Sequence, residues 1–225
     1  MFQITGRQTH TKNSTHGRTG GAHDFIIIAG HAYGSDEARD EASRGSASAT
    51  QNLNKMRKHT QFTHSDVSFN DSLPGISRDK LESLLPHPFP GRDYFISFYS
   101  NQNGGFFDGG ARIYREEFHT IKPGDHNRFE IEAFNFIPTF EKQENPRLLS
   151  TLQVIEFRKI AHNVNSTFLR ENIPFASDAG DNDFWINILT GAISYTITNE
   201  LTTHPSTIFV APDFRTFCDA IRGHY

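Results

Sequence analysis

The chain has 225 residues, with 22 Lys or Arg and 26 Asp or Glu, so its formal net charge is −4 at pH 7. This length suits one sizeable domain with an extension, and the acidity argues against strong binding to the phosphate backbone of nucleic acids. A single cysteine, Cys218, excludes an internal disulfide bond and fits a reducing compartment. The longest apolar run, residues 25–30, is too short to cross a bilayer and is not placed like a secretory signal. We therefore expect a soluble cytoplasmic protein.

Charge and aromatic residues are divided unevenly along the chain. Residues 1–65 contain 8 Lys or Arg and 5 Asp or Glu, whereas residues 66–225 contain 14 and 21, a net charge of −7. Nineteen of the 21 phenylalanines follow position 60. Because the first part has almost nothing with which to form a core, we predict a disordered leader over residues 1–65 and a folded domain over residues 70–225.

Within the leader, residues 25–29 indicate a short strand and residues 35–48 a transient helix. Its six histidines are irregularly spaced and no cysteine joins them, so we expect no metal site there. Met56 precedes Arg57 and Lys58 and is a second candidate for the true start of the protein, which the N-terminal mass of the native protein would decide.

The folded part begins with two predicted helices. Ser77 is a suitable N-cap for a helix that runs to Leu85, where Pro86 follows. A second helix is predicted over residues 92–101, with its end at the run 103–105, Asn-Gly-Gly, since glycine adopts a left-handed cap without strain. The apolar face of this second helix consists of Phe95, Phe98 and Tyr99.

A strand region and a long helix come next. Residues 108–110, Asp-Gly-Gly, predict a turn before a strand over residues 111–114. Residues 129–133 alternate strictly between apolar and acidic side chains, as in a half-buried strand. Residues 148–169 then predict one helix, whose buried side would comprise Leu152, Ile155, Ile160 and Phe168.

The last third of the domain predicts a β-hairpin, a strand and a helix. Two alternating segments, residues 183–188 and 192–198, flank a turn that contains Gly191, which is the pattern of a hairpin. Residues 207–210 predict another strand, and a helix follows from Asp213 with an apolar stripe of Phe214, Phe217, Cys218 and Ile221.

Three aspartates, Asp178, Asp181 and Asp183, lie within six positions, and three interpretations compete. An EF-hand calcium loop needs a different spacing and a closing glutamate, yet no glutamate follows before Glu200. A pair of catalytic carboxylates needs opposed positions across a cleft, whereas Asp181 and Asp183 point to the same side of one strand entry. A polar turn, in which Asp, Asn and Gly hydrogen-bond locally, is the favoured interpretation.

No established catalytic motif is present in the sequence, which lacks GxSxG, P-loop, CxxC, HExxH and GxGxxG patterns. Cys218 lies on the apolar face of its helix, so a buried structural thiol is expected rather than a nucleophile. We therefore predict a protein that is not an enzyme and that uses no cofactor and no metal.

The acidity of residues 66–225 instead favours binding to a basic surface of another protein. Trp185 is predicted on the outer face of its strand, where a partly exposed indole anchors interfaces well, although packing under a loop fits equally well. The candidate protein-binding residues are Glu116, Glu117, Glu130, Glu132, Asp181, Asp183 and Trp185.

Three segments, in order, resemble the SUKH superfamily, which includes fungal cell-wall assembly regulators and many bacterial immunity proteins. The first is residues 93–98 running into Asn103-Gly104-Gly105. The second is residues 173–195, which contains Ile173-Pro174-Phe175-Ala176 and Gly191-Ala192-Ile193. The third is residues 208–217, with the order Ala211-Pro212-Asp213-Phe214. Residues 118–147 and the leader have no counterpart in the family pattern.

The resemblance implies a single α+β domain, with a curved, mostly antiparallel sheet flanked by helices, and no catalysis. It implies an immunity protein that neutralises a polymorphic toxin, often a nuclease, by direct binding. The acidity and the short apolar run predict no nucleic-acid or membrane partner. The toxin domain would be basic, which fits the acidity of this domain. A regulatory scaffold of the cell-wall assembly type is the alternative, and an unrecognised hydrolase using Asp181, Asp183 or a distant histidine is the third.

Overall fold

The computed structural model describes residues 62–85, 87–140 and 143–223. The predicted strand and helix of the leader lie outside these residues, as do its histidines other than His64. The helices are α1 (Arg78–Leu84), α2 (Arg92–Asn101), α3 (Thr151–His162), α4 (Ser166–Glu171) and α5 (Phe214–Ala220). The strands are β1 (Phe69–Asn70), β2 (Leu73–Pro74), β3 (Gln102–Asn103), β4 (Gly105–Tyr114), β5 (Arg128–Phe134), β6 (Asn172–Ser177), β7 (Asp183–Asn187), β8 (Ile193–Thr196), β9 (Ile208–Ala211) and β10 (Arg222–Gly223).

One antiparallel sheet organises the domain, in the order β1-β4-β5-β6-β7-β8-β9, with β10 also paired to β4. Strands β2 and β3 form a separate two-stranded ribbon. The predicted α+β class with a mostly antiparallel sheet flanked by helices is confirmed. In the described part of the chain, no helix is long and apolar enough to cross a membrane.

An aromatic core fills one face of the sheet, under α1, α2 and α5. The ring of Phe134 in β5 lies at its centre, 5.3 Å from Phe98, 5.1 Å from Phe107 and 5.5 Å from Phe175, measured between ring centroids. Each buried ring of this size contributes about 1.5–3 kcal/mol, and edge-to-face contacts add to that. Phe62 joins the same cluster and is 6 % exposed, so packed structure includes a residue that the sequence assigned to the leader, residues 1–65.

A smaller apolar cluster lies on the opposite face, because successive side chains of a strand point to opposite sides. Trp185 of β7 packs there against Val154 of α3 and against Val164 and Leu169. Helices α3 and α4 thus cover the sheet at β6 and β7. Strand β7 is covered on both faces, and its first four residues are buried.

The predicted helix over residues 148–169 is two helices in the structure. A capping box between Ser150 and Gln153 starts α3. Asn163, at φ 52° and ψ 36°, adopts the left-handed conformation and ends it. The predicted buried side is half right, since Ile155 and Phe168 are partly buried against the smaller cluster, whereas Leu152 and Ile160 are 48 % and 75 % exposed.

The Asn-Gly-Gly run after α2 does not cap that helix. Helix α2 ends at Asn101, and Asn103 lies in β3. The side chain of Asn103 accepts a hydrogen bond from the backbone N–H of Ile137 (2.7 Å) and donates one to the backbone carbonyl of Ile137 (2.9 Å). Gly104 follows at φ 72°, and a Cβ there would lie 2.8 Å from the carbonyl oxygen of Phe134. The run therefore joins the ribbon to the main sheet.

Candidate protein-binding site

An open cleft of about 780 Å³ lies over β4 and β5, where neither α3 nor α4 covers the sheet. We call it the acidic cleft and define it by four carboxylates and one cation among its lining residues: Asp71, Asp108, Glu130, Glu132 and Arg147. The predicted residues Glu130 and Glu132 are therefore brought together here, on the exposed side of β5. Asp71, Asp108 and Arg147 were not among the predicted residues.

A bulge in β4 shapes the acidic cleft. Phe106 pairs with Ala133 and Ala111 pairs with Ile131, so four residues of β4 lie opposite one residue of β5, Glu132. Gly109 and Gly110 allow this bulge because both have positive φ angles, 74° and 81°. The sequence predicted a turn at residues 108–110, whereas the structure has a bulge inside one ten-residue strand.

Ion pairs neutralise only part of the charge in the acidic cleft. Arg147 pairs with Asp71, and its guanidinium carbon lies 5.2 Å from the ring centroid of Phe106. Arg128 approaches Glu130 at 2.8 Å. No ion pair within residues 62–85, 87–140 and 143–223 involves Asp108 or Glu132. These two carboxylates, both exposed, leave the cleft with a negative excess.

A smaller depression of about 290 Å³ continues the acidic cleft past Glu130 and Ala179, which line both. It exists because β5 and β6 pair only at Ala133 with Ser177 and at Phe134 with Ala176, so the sheet divides beyond that point. The hydroxyl of Tyr195 donates to Asp178 Oδ2 at 2.6 Å on its wall. Burial, and then this hydrogen bond, raise the pKa of Tyr195, so its hydroxyl remains a donor.

Glu116 and Glu117 lie outside the acidic cleft, on the 3-10 helix that follows β4. The carboxylate of Glu116 accepts a hydrogen bond from the Asn127 side chain at 2.9 Å. Arg222 of β10 donates to Glu117 at 2.8 Å. Both glutamates are exposed.

The aspartate-rich segment forms a polar turn between β6 and β7. Asp178 Oδ1 accepts hydrogen bonds from the backbone N–H groups of Gly180 (2.8 Å) and Asn182 (3.0 Å), and Asp181 has a positive φ of 61°. This is the local hydrogen bonding that the favoured interpretation required. Strands β7 and β8 then pair around Gly191 as the predicted hairpin.

Two of these aspartates hold a buried arginine. Arg158 of α3 is 1 % exposed and donates from Nε to Asp183 Oδ2 (2.7 Å) and from Nη2 to Asp183 Oδ1 (3.1 Å). The same guanidinium donates to Asp181 Oδ1 at 2.9 Å and to the Asp181 carbonyl at 2.8 Å. Five hydrogen bonds therefore join α3 to the turn at Asp181 and to the first residue of β7.

The protonation of this buried cluster follows from its surroundings. Burial raises the pKa of Asp183 to about 6, because the loss of water outweighs the lowering by the hydrogen bonds and charge of Arg158. Burial opposes the charge on Arg158, but the carboxylates of Asp183 and Asp181 together raise its pKa. Arg158 therefore stays charged, and Asp183 is the group that titrates.

The structure corrects two of the predicted contact residues. Asp183 is 1 % exposed and Trp185 is fully buried, so neither reaches a partner on the surface of this domain. Trp185 packs edge-to-face on Phe168 with 5.1 Å between ring centroids, and its Nε1–H donates to Thr196 Oγ1 at 2.9 Å. Asp181 remains more than half exposed while it pairs with Arg158.

The structure also places the single cysteine and the possible metal-ligating side chains. Cys218 is fully buried in α5, and burial raises the pKa of its thiol. Among the described residues, no three His, Cys, Asp or Glu side chains converge so that they could hold a metal ion.

Comparison of the chain with models of known protein families and with curated protein sequences gives no match.

Proposed function

We propose that this domain is a non-catalytic protein-binding module of the immunity type, which neutralises a basic toxin domain by covering part of its surface in the cytoplasm. The observation that carries the proposal is the acidic cleft, where four carboxylates face one arginine on an open part of the sheet. Such a surface attracts a basic partner, speeds encounter and disfavours acidic competitors. The same charges repel the phosphates of nucleic acid and of anionic lipids.

The described contacts indicate how the surface would bind. The Arg147–Asp71 ion pair and the Arg147–Phe106 contact form one wall, where the side chains of Arg147 and Asp71 are 65 % and 50 % exposed and so remain within reach of a partner. Asp108 and Glu132 lie exposed beside the bulge, where a Lys or Arg of a partner can reach them. Glu116 and Glu117 add negative charge at the end of β4. Charge-assisted hydrogen bonds to such groups are about twice as strong as neutral ones.

A paired charge-reversal experiment tests the proposal. Asp108→Lys with Glu132→Lys changes the net charge by four units within the acidic cleft. Asp93→Lys with Glu200→Lys makes the same change at exposed positions outside it. We expect the cleft variant to lose protection against the toxin encoded beside its gene, and to lose at least tenfold in affinity for that toxin domain. The control variant should retain most of both.

Two results would end the immunity proposal. One is that no adjacent toxin is neutralised and no basic protein co-purifies with the wild-type chain. The other is that both variants lose affinity equally, which would mean that net charge alone, and not the acidic cleft, attracts the partner.

A further inference from the structure

A third depression in the domain differs chemically from the acidic cleft, because its lining is mostly apolar. It lies between α1, α3 and α4, holds a cavity of about 170 Å³ and shares no lining residue with the acidic cleft. We call it the apolar groove and define it by Leu84, Ile137, Phe140, Leu152 and Ile155 among its lining residues. Phe140 is 64 % exposed and Leu152 is 48 % exposed. Large apolar side chains gathered around a cavity in this way mark a binding groove.

The charges around the apolar groove select the kind of segment that fits it. Among the described residues that line it, Lys80 and Arg170 are the charged ones, and no carboxylate lines it. An occupant should therefore present a short apolar run next to acidic residues, which is the reverse of what the acidic cleft would attract.

The chain itself contains one such segment, residues 24–41, outside the described part. Its apolar run, Phe25-Ile26-Ile27-Ile28-Ala29, is the longest in the protein. With one basic residue, Arg39, the segment has a net charge of −4. Its acidic residues, which are all the carboxylates of residues 1–61, are Asp24, Asp36, Glu37, Asp40 and Glu41.

Chain length and cavity size both permit an intramolecular contact. The 33 residues between Ile28 and Phe62 span at most roughly 110 Å when extended, well beyond the radius of gyration of about 15 Å expected for a domain of this size. A cavity of about 150 Å³ lined by apolar side chains accepts a benzene ring. The apolar groove therefore has room for the ring of Phe25 or for a branched side chain from residues 26–28.

We propose that residues 24–29 dock in the apolar groove of the same molecule, with apolar side chains in the cavity and the flanking carboxylates facing Lys80 and Arg170. The contact covers Phe140 and Leu152, which the domain otherwise leaves exposed. It is independent of the acidic cleft, so its failure would leave the proposed function intact.

Disulfide trapping in the full chain tests the contact. Ile27→Cys is combined with Leu152→Cys, and the rate of intramolecular cross-linking is followed under mild oxidation, with mass spectrometry to locate the bond. Ser48→Cys with Leu152→Cys is the first control. Because Ser48 is closer to the domain along the chain than Ile27 is, this pair should cross-link faster if covalent connection alone sets the rate. Ile27→Cys with Thr120→Cys is the control for unspecific contact at an exposed loop. Circular dichroism checks that each variant folds.

We expect the Ile27–Leu152 pair to cross-link at least fivefold faster than either control. Lys80→Glu with Arg170→Glu in the same variant should slow it severalfold. Equal rates for the three pairs would overturn the proposal. So would disulfide-linked dimers as the main product, which would assign the groove to a second copy, or a native protein whose N-terminal mass places its start at Met56.

Discussion

Arg158 in the middle of α3 and Asp183 at the start of β7 form a two-point ion pair in which each side chain is 1 % exposed. The pair fixes the helix that covers the sheet to one of the interior strands of that sheet. A buried ion pair of this kind often contributes little net stability, but removing one partner leaves an uncompensated charge. The largest loss of stability should therefore appear when only one of the two side chains is replaced.

Arg158→Met should lower the free energy of unfolding by about 3–5 kcal/mol at pH 7, because Asp183 is left buried without its cation. Urea unfolding followed by circular dichroism measures the change. Arg78→Met is the control, since Arg78 forms an exposed pair with Glu82 at i, i+4, and pairs of that kind are worth less than about 0.5 kcal/mol. Similar losses in the two variants would show that the buried pair has no special role.

The pH dependence of stability should carry the signature of Asp183. Its pKa is about 6 in the folded state and near its ordinary, lower value when unfolded, so the folded state binds more protons between about pH 4 and 6. The contribution of this group to stability therefore falls as pH rises through that window and is constant above it.

Asp183→Asn cannot titrate, so the stability of the wild type relative to this variant should fall by on the order of 2–3 kcal/mol from about pH 4 to pH 7. Urea unfolding of both proteins at several pH values gives this difference. Asp79→Asn, at an exposed position of α1, is the control for the loss of a carboxylate. A relative stability that rises with pH would mean that the pairing with Arg158 outweighs burial.

Trp185 is the sole tryptophan of the chain, and its fluorescence should report a dry environment. We expect emission at short wavelength and little quenching by acrylamide, with both changing on unfolding. Trp185→Phe should cost about 1–3 kcal/mol, because it loses packing area and leaves Thr196 without its donor. If the folded protein emits as exposed indole does, the covering of β7 by α3 and α4 is wrong.

Gly104→Ala and Gly124→Ala separate crowding from backbone strain. Both glycines have positive φ, 72° and 92°, but an added Cβ at Gly104 meets the Phe134 carbonyl at 2.8 Å and one at Gly124 meets nothing within 4 Å. We expect about 1 kcal/mol of destabilisation at Gly124 and at least about 2–3 kcal/mol at Gly104. Thermal unfolding of the two variants measures the difference, and equal losses would exclude a steric contribution.

Local sequence patterns predicted the secondary structure correctly where a segment's own residues determine it. The bounds of α2 follow from its apolar spacing, and the hairpin of β7 and β8 follows from two alternating arms around Gly191. The polar turn at Asp178 needs only hydrogen bonds within five residues. The α+β class came from the resemblance, and the family assignment behind it stays a prediction.

The predictions that failed depend on contacts between distant parts of the chain. Alternation in β7 separates two faces, but it does not reveal that α3 covers the second face, and so Trp185 was placed outside. Nothing in the sequence indicated a buried Arg158, because its two carboxylate partners lie 23 and 25 positions away. The acidic cleft depends on the register between β4 and β5, since the bulge brings Asp108 beside Glu132.

Strand β4 receives both ends of the described domain. Strand β1 pairs with residues 106 and 107, β10 pairs with residues 111 and 112, and the N–H of Gly223 donates to Asp66 at 3.0 Å. Because the two ends meet side by side, a short peptide could join them, and new termini could be opened in the exposed loop at residues 119–125. A circularly permuted domain should therefore keep the same sheet. The natural domain could also be inserted into a loop of a host protein without separating the two ends of that loop.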